Sequence, residues 1–113
     1  MNTISREALK QKLDDKEVIK LVMTMGEWAF SACHIPGSIN VNSPEEAQVK
    51  LKLEDKIIVY CSDYFCKASH YAYKLLVKNG FTDVWLYSGG LADWQAAGYP
   101  LEGNAVKEVT NDQ

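Results

Sequence analysis

The sequence predicts an α/β domain built on a central, mostly parallel sheet. Short apolar runs alternate along the chain with segments of helical periodicity. The run Lys56-Ile57-Ile58-Val59-Tyr60 is apolar at four consecutive positions, as a strand covered on both faces requires. Helical segments are bounded by start and stop residues, such as Ser43-Pro44 ahead of one and Asn79-Gly80 behind another.

Taken in order, Ser5 to Leu13 predicts a short amphipathic helix, with Leu9 and Leu13 one turn apart. Val18 to Met23 predicts a buried strand, and Glu27 to Ala32 a helical turn. His34-Ile35-Pro36-Gly37-Ser38 is turn chemistry, because Pro36 fixes φ and Gly37 permits positive φ. Ile39 to Asn42 predicts a short strand. In Ser43-Pro44-Glu45-Glu46, Ser43 is the expected N-cap, Pro44 the first helical residue and Glu46 the partner closing a capping box. After the central strand at Lys56–Tyr60, a helix is expected from Ser69 to Lys78. Its apolar stripe is read as Ala72, Leu75 and Leu76, with Tyr71, Leu75 and Lys78 on one side. Val84 to Tyr87 predicts another strand, Gly89-Gly90 a turn, and Leu91 to Ala97 a short helix stopped by Gly98 and Pro100. Residues 103–113 read as a polar C-terminal tail that frays.

Composition limits the function. A chain of 113 residues without internal repeats fits one domain, and 47% hydrophobic with 24% charged residues is ordinary for a globular protein. The net charge of -3, with no basic run, argues against nucleic acid. No basic segment followed by an apolar one opens the chain, and no apolar run approaches the roughly 20 residues of a membrane helix. The expectation is a soluble, cytoplasmic protein with no membrane partner. Cys33, Cys61 and Cys66 are too few to suggest a disulfide framework and read as reactive or buried thiols.

The chemistry concentrates in Cys61-Ser62-Asp63-Tyr64-Phe65-Cys66-Lys67-Ala68-Ser69, which joins the central strand to a helix. Ligands of parallel sheets sit beyond the carboxyl ends of the strands, which is where Cys61 falls. A cysteine attacks as its thiolate, and a helix N-terminus stabilises that anion through unpaired N–H groups. Lys67 adds a positive charge, and Ser69 is read as a helix cap. The alternative is that Cys61 is only a small buried side chain.

Three segments resemble the rhodanese-like domain family over residues 4–102. They are Cys33-His34-Ile35-Pro36-Gly37-Ser38-Ile39-Asn40-Val41, then Ile58-Val59-Tyr60-Cys61, then Gly80-Phe81 to Val84 with Tyr87-Ser88-Gly89-Gly90-Leu91-Ala92-Asp93-Trp94 and Ala97-Gly98-Tyr99-Pro100-Leu101. The resemblance implies a three-layer domain at residues 1–102, with a sheet of about five strands flanked by helices. It further implies a sulfurtransferase or persulfide carrier. Cys61 would accept a sulfane sulfur from thiosulfate or a persulfide and pass it to a thiol or to cyanide. No cofactor is implied.

The chain also departs from the family pattern. A segment that usually reads Leu-Ile-Asp-Val-Arg is Leu21-Val22-Met23-Thr24-Met25, so methionines replace the Asp and the Arg. Cys33 stands where glycine is usual. The family loop has an arginine five residues after the cysteine and a serine next; here that fifth residue is Cys66, and Ser69 matches the serine only in a longer loop. Asp63 would oppose a dianionic donor, while Tyr64 and Phe65 would suit a thiol partner, including a protein thiol.

Several readings remain open. Cys66 is either a resolving thiol for Cys61, giving a thiol–disulfide enzyme, or a packing residue. Cys61 to Lys67 has the length of a phosphatase or arsenate-reductase Cys-x5-Arg loop, but lysine lacks the planar fork. A non-enzymatic binding module is the fourth reading. His34 reads as a structural hydrogen bonder and His70 as a solvated helix residue. Cys33 reads as packed, and Trp28, Trp85 and Trp94 as core or edge residues. No metal site is indicated.

Overall fold

The computed structural model describes residues 1–106. Its sheet contains β1 (Lys20–Met23), β2 (Ile39–Asn40), β3 (Lys56–Tyr60) and β4 (Asp83–Tyr87) in the order β2-β1-β3-β4. Every ladder is parallel. Thr3 adds a parallel bridge to Leu86 at the outer edge of β4, so the first residues of the chain occupy the fifth strand position. That bridge is held by Leu86 N donating to Asn2 O (2.8 Å) and Ile4 N donating to Leu86 O (3.0 Å).

Alternation along the strands sorts side chains onto two faces. Val22, Ile57, Val59, Val84 and Leu86 face one core, which α3 (Pro44–Lys50) and α4 (Ala68–Lys78) cover through Ala47, Tyr73 and Leu76. Leu21, Met23, Ile58, Tyr60 and Tyr87 face the other. There Leu9 of α1 (Arg6–Asp14) and Trp94 of α5 (Gly90–Ala96) are the buried contacts, and Phe30 of α2 (Glu27–Ala32) packs at the margin. The expected three layers follow, and β3 is apolar throughout because both of its faces are covered.

Helix starts follow the sequence closely. Ser5 Oγ accepts from Ala8 N and Ser43 Oγ accepts from Glu46 N, each at 3.1 Å. Glu46 differs in one respect: its carboxylate takes the Asn42 N–H (3.3 Å), one residue before the N-cap that a capping box would engage. β1 begins at Lys20 rather than Val18, because Val18 lies almost fully in solvent. In α4 the buried residues are Ser69, Tyr73 and Leu76, so the stripe is rotated from the expected one. Tyr73 was missed because its hydroxyl disguises a core residue; that hydroxyl accepts from Asn2 N (2.9 Å) and ties the edge segment to the helix. Trp94 is core and Trp85 half-buried, but Trp28 is 86% exposed. The six-residue α2 packs inward through Ala29 and Phe30, which leaves Trp28 on its outer side.

Residues 104–106 are helical, and the rest of the expected tail, 107–113, lies outside the described residues. Glu102 pairs with His34 through both backbone N–H groups (2.8 and 2.9 Å). Among the described residues no helix is long and apolar enough to cross a membrane.

The turn after α2 is locked to the central strand by Tyr60. Its buried hydroxyl accepts from Ile35 N (3.0 Å) and is bonded to Ser38 Oγ (2.9 Å), which in turn donates to Ile35 O (2.6 Å). Burial pushes the Tyr60 hydroxyl up to about 12. It also raises Tyr87, whose hydroxyl donates to Asp93 Oδ2 at 2.6 Å. A phenol whose folded pKa exceeds its unfolded value contributes stability that is complete below pH 10 and lost as pH climbs toward 12. Urea titrations across that window will show falling stability. Tyr60→Phe will flatten the fall and cost about 1–2 kcal/mol at neutral pH, since the Ile35 N–H loses its acceptor. An unchanged alkaline slope in that variant would remove Tyr60 as a cause.

Candidate functional site

The strand order places a switch point at the carboxyl ends of β1 and β3, because the chain leaves β1 toward β2 on one side and returns to β3 on the other. Cys61 is the first residue beyond β3 and is 1% exposed. The three carbonyls around it would be orphaned as the chain leaves the sheet, and each finds a donor. Tyr60 O accepts from Thr24 N (3.1 Å) and Thr24 Oγ1 (3.2 Å). Cys61 O accepts from Leu91 N (3.1 Å) and Ser62 O from Ala92 N (2.9 Å). The latter donors are first-turn N–H groups of α5, which have no partner within their own helix.

Gly90 makes this docking possible. Its φ is +64°, and a Cβ there would stand 2.5 Å from Cys61 O. Toward Asn40, Met23 and Met25 offer only their backbone carbonyls as hydrogen-bonding groups. Asn40 Nδ2 donates to Met23 O (3.2 Å) and Met25 O (2.6 Å), while Met23 is fully buried and Met25 packs on the same core. Thr24, Asn40 and Gly90 therefore support the site. The signal for Gly90 was its place in a Gly-Gly pair; Thr24 and Asn40 carried none.

The loop curls. Cys61 and Cys66 are joined as a disulfide, with Cα atoms 6.3 Å apart, inside the usual range. Of the three cysteines only Cys33 is free, which corrects the expectation of thiols throughout. Asp63 shapes the curl. Its Oδ1 accepts from Phe65 N (2.9 Å) and Cys66 N (3.1 Å), and its backbone O accepts from Cys66 N (3.2 Å). Its carboxylate thus occupies loop N–H groups that an anionic donor would otherwise use. Tyr64 and Phe65 are thrown outward, 70% and 86% exposed, with their rings edge to face.

Lys67 is the N-cap residue of α4 and makes no side-chain cap bond. Ala68 is the first helical residue, and Ser69, one step further in, is buried. Ser69 is therefore not the cap, because the helix starts earlier than its hydroxyl suggested. The sulfur pair lies beside the first turn of α4, since Cys66 directly precedes Lys67. His70, expected in solvent, is half-buried, with Nδ1 enclosed and unpartnered among the described residues.

The chain's single arginine, Arg6, lines an open groove of about 710 Å³ together with Asp63, Tyr64 and Phe65. It is already engaged: Nη1 meets Asp93 Oδ1 (3.0 Å) and Nε meets Glu7 Oε2 (3.1 Å). The bond to Glu7, then the charge of Asp93, hold its pKa up. A separate apolar hollow of about 190 Å³ lies between α3 and α4, on the opposite sheet face, and touches neither sulfur. His34 stacks on Phe30 (4.0 Å), contacts Phe30 O through Nδ1 (2.7 Å) and meets Glu102 through Nε2 (3.1 Å). Those contacts are structural. Cys33 caps α2 half-buried, and burial pushes its thiol up.

Residues 5–97 match the rhodanese-like domain family. The chain is 33% identical over 88 residues to the thiosulfate sulfurtransferase GlpE of Pseudoalteromonas translucida, covering 76% of this chain and 82% of that protein. It is 29% identical over 93 residues to the putative sulfur carrier protein YrkF of Bacillus subtilis, covering 80% of this chain but only 49% of that one. Among solved structures, the rhodanese-like domain of an Anabaena protein superposes with a TM-score of 0.85 at 25% identity, covering 94% of this chain and 82% of that one.

Two expectations follow from the loop's supports. Gly90→Ala will cost about 2 kcal/mol and will change the alkylation rate of reduced Cys61, because the added methyl collides with Cys61 O. Thermal melting and iodoacetamide labelling measure these, and wild-type values in both would contradict the docking role. Asp63→Ala will weaken closure of the Cys61–Cys66 bond several-fold, at about 1 kcal/mol per lost hydrogen bond, while Asp63→Asn will retain most of it. Equilibration against a dithiol buffer reads the difference; identical midpoints for Ala, Asn and wild type would show that Asp63 does not shape the loop.

Proposed function

The chain belongs to the rhodanese-like domain family, and on that premise we propose that it is a sulfurtransferase or persulfide carrier working through Cys61. The observation that carries this reading is the position of Cys61 at the switch point, with its own carbonyl and both neighbouring ones held by hydrogen bonds. Cys61 is bonded to Cys66, the residue before the α4 N-cap, and the unpaired N–H groups of a helix start stabilise a thiolate or persulfide anion. The family likeness supports sulfur transfer.

The donor is a persulfide rather than thiosulfate. A dianion needs several donors or a fork of positive charge, and here Asp63 takes two loop N–H groups while Arg6 is paired with Asp93 and Glu7. Lys67 is the one basic residue of the loop that runs from Cys61 to Ser69. Exposed Tyr64 and Phe65 suit a thiol acceptor carried on a protein, since aromatic groups gain most when an apolar surface covers them. A reducing compartment such as the cytoplasm fits a site that must return to the thiolate.

Incubation of the reduced Cys66→Ser variant, in which no second thiol competes, with glutathione persulfide, followed by cyanide, will yield thiocyanate, and adding Cys61→Ser will abolish it. Thiosulfate will be the poorer donor by about tenfold or more in kcat/KM. Tyr64→Ser with Phe65→Ser will slow transfer to a protein thiol more than transfer to cyanide. Full activity in Cys61→Ser would end the proposal, and equal losses with both acceptors would end the partner assignment alone.

A further inference from the structure

We infer that Cys66 is the resolving thiol that displaces the sulfur taken up by Cys61, so that the protein acts as a sulfide-releasing persulfide reductase. This rests on the sulfur-accepting role of Cys61 proposed above and names what happens next at the same site. The two sulfurs are within bonding reach, with Cα atoms 6.3 Å apart and Asp63 turning the Cys66 N–H back onto its own carboxylate and carbonyl. The intervening aromatics point out to solvent, so no bulky side chain separates the thiols. Cys61 is 1% exposed, whereas Cys66 is only half-buried. An external thiol must reach a buried sulfur, while Cys66 is already beside it, and that proximity favours the intramolecular step.

The chemistry balances. Cys61 first carries the persulfide, Sγ–S⁻. The Cys66 thiolate attacks Cys61 Sγ, forming the Sγ–Sγ bond and breaking the bond to the outer sulfur. That sulfur leaves with the electron pair, takes one proton and departs as hydrosulfide. The two cysteines are oxidised by two electrons, and the sulfane sulfur is reduced by two. An external dithiol then attacks the more accessible Cys66 Sγ and regenerates both thiols as it becomes a disulfide itself. The protein therefore sits between a reaction that generates persulfides and one that consumes sulfide.

The test is a single anaerobic turnover of the reduced full chain with one equivalent of glutathione persulfide and no added thiol. Released sulfide and intact mass are both read. Wild type should release about one sulfide per chain and lose two hydrogens. Cys66→Ser should gain one sulfur and release about tenfold less sulfide, and Cys61→Ser should do neither. Dithiothreitol should restore a second turnover in wild type. Wild type that keeps the added sulfur, or Cys66→Ser that releases sulfide at the wild-type rate, would overturn this inference while leaving Cys61 as the sulfur acceptor. Absence of sulfur uptake and sulfide release in every variant would overturn both readings.

Discussion

Everything around the sulfur pair depends on satisfying three successive carbonyls. When a central strand leaves its sheet, its backbone oxygens lose their ladder partners, and at Tyr60 and Cys61 the surroundings are too buried for water to replace them. Here Tyr60, Cys61 and Ser62 hand their oxygens to Thr24, Leu91 and Ala92, which belong to the end of β1 and the start of α5. The position of Cys61 is thus fixed by the backbone of three elements rather than by its own side chain. That arrangement holds the Cα of Cys61 in place, and the side chain is given to the bond with Cys66.

The same constraint explains which parts of the molecule were legible in the sequence. β3 could be read because a strand covered on both faces must be apolar at every position. The starts of α1 and α3 could be read because Ser5 and Ser43 carry local capping chemistry. Cys61 could be read because strand ends in parallel sheets are functional edges. Thr24 and Asn40 could not, since they act across strands through pairings that only the folded register creates. Ser69 misled for the opposite reason: a serine near a helix start usually caps it, but burial under α4 claimed this one. Trp28 misled because hydrophobicity predicts burial only when the host helix has a face to spare, and α2 is six residues long.

Charge around the site points away from strong anion binding. Asp63 spends its carboxylate on the loop, and the lone arginine is held between Asp93 and Glu7. Arg6 instead joins α1 to α5, while Asp93 also accepts from Tyr87, so one carboxylate links the helix that docks on Cys61 to β4 and to α1. The arginine serves the scaffold that holds the loop.

The asymmetry between the two sulfurs assigns them different tasks. A buried Cys61 is shielded from casual oxidants, which suits the persulfide proposed for it. A half-exposed Cys66, behind the solvent-facing Tyr64 and Phe65, suits the atom a reductant must find. Were both buried, the disulfide would be a dead end; were both exposed, the persulfide would be lost to any passing thiol. A loop that begins under α5 and ends at the surface before α4 separates these demands by only five residues. Asp63, at the turn between them, accepts from the N–H groups of Phe65 and Cys66 and so turns the loop back toward Cys61.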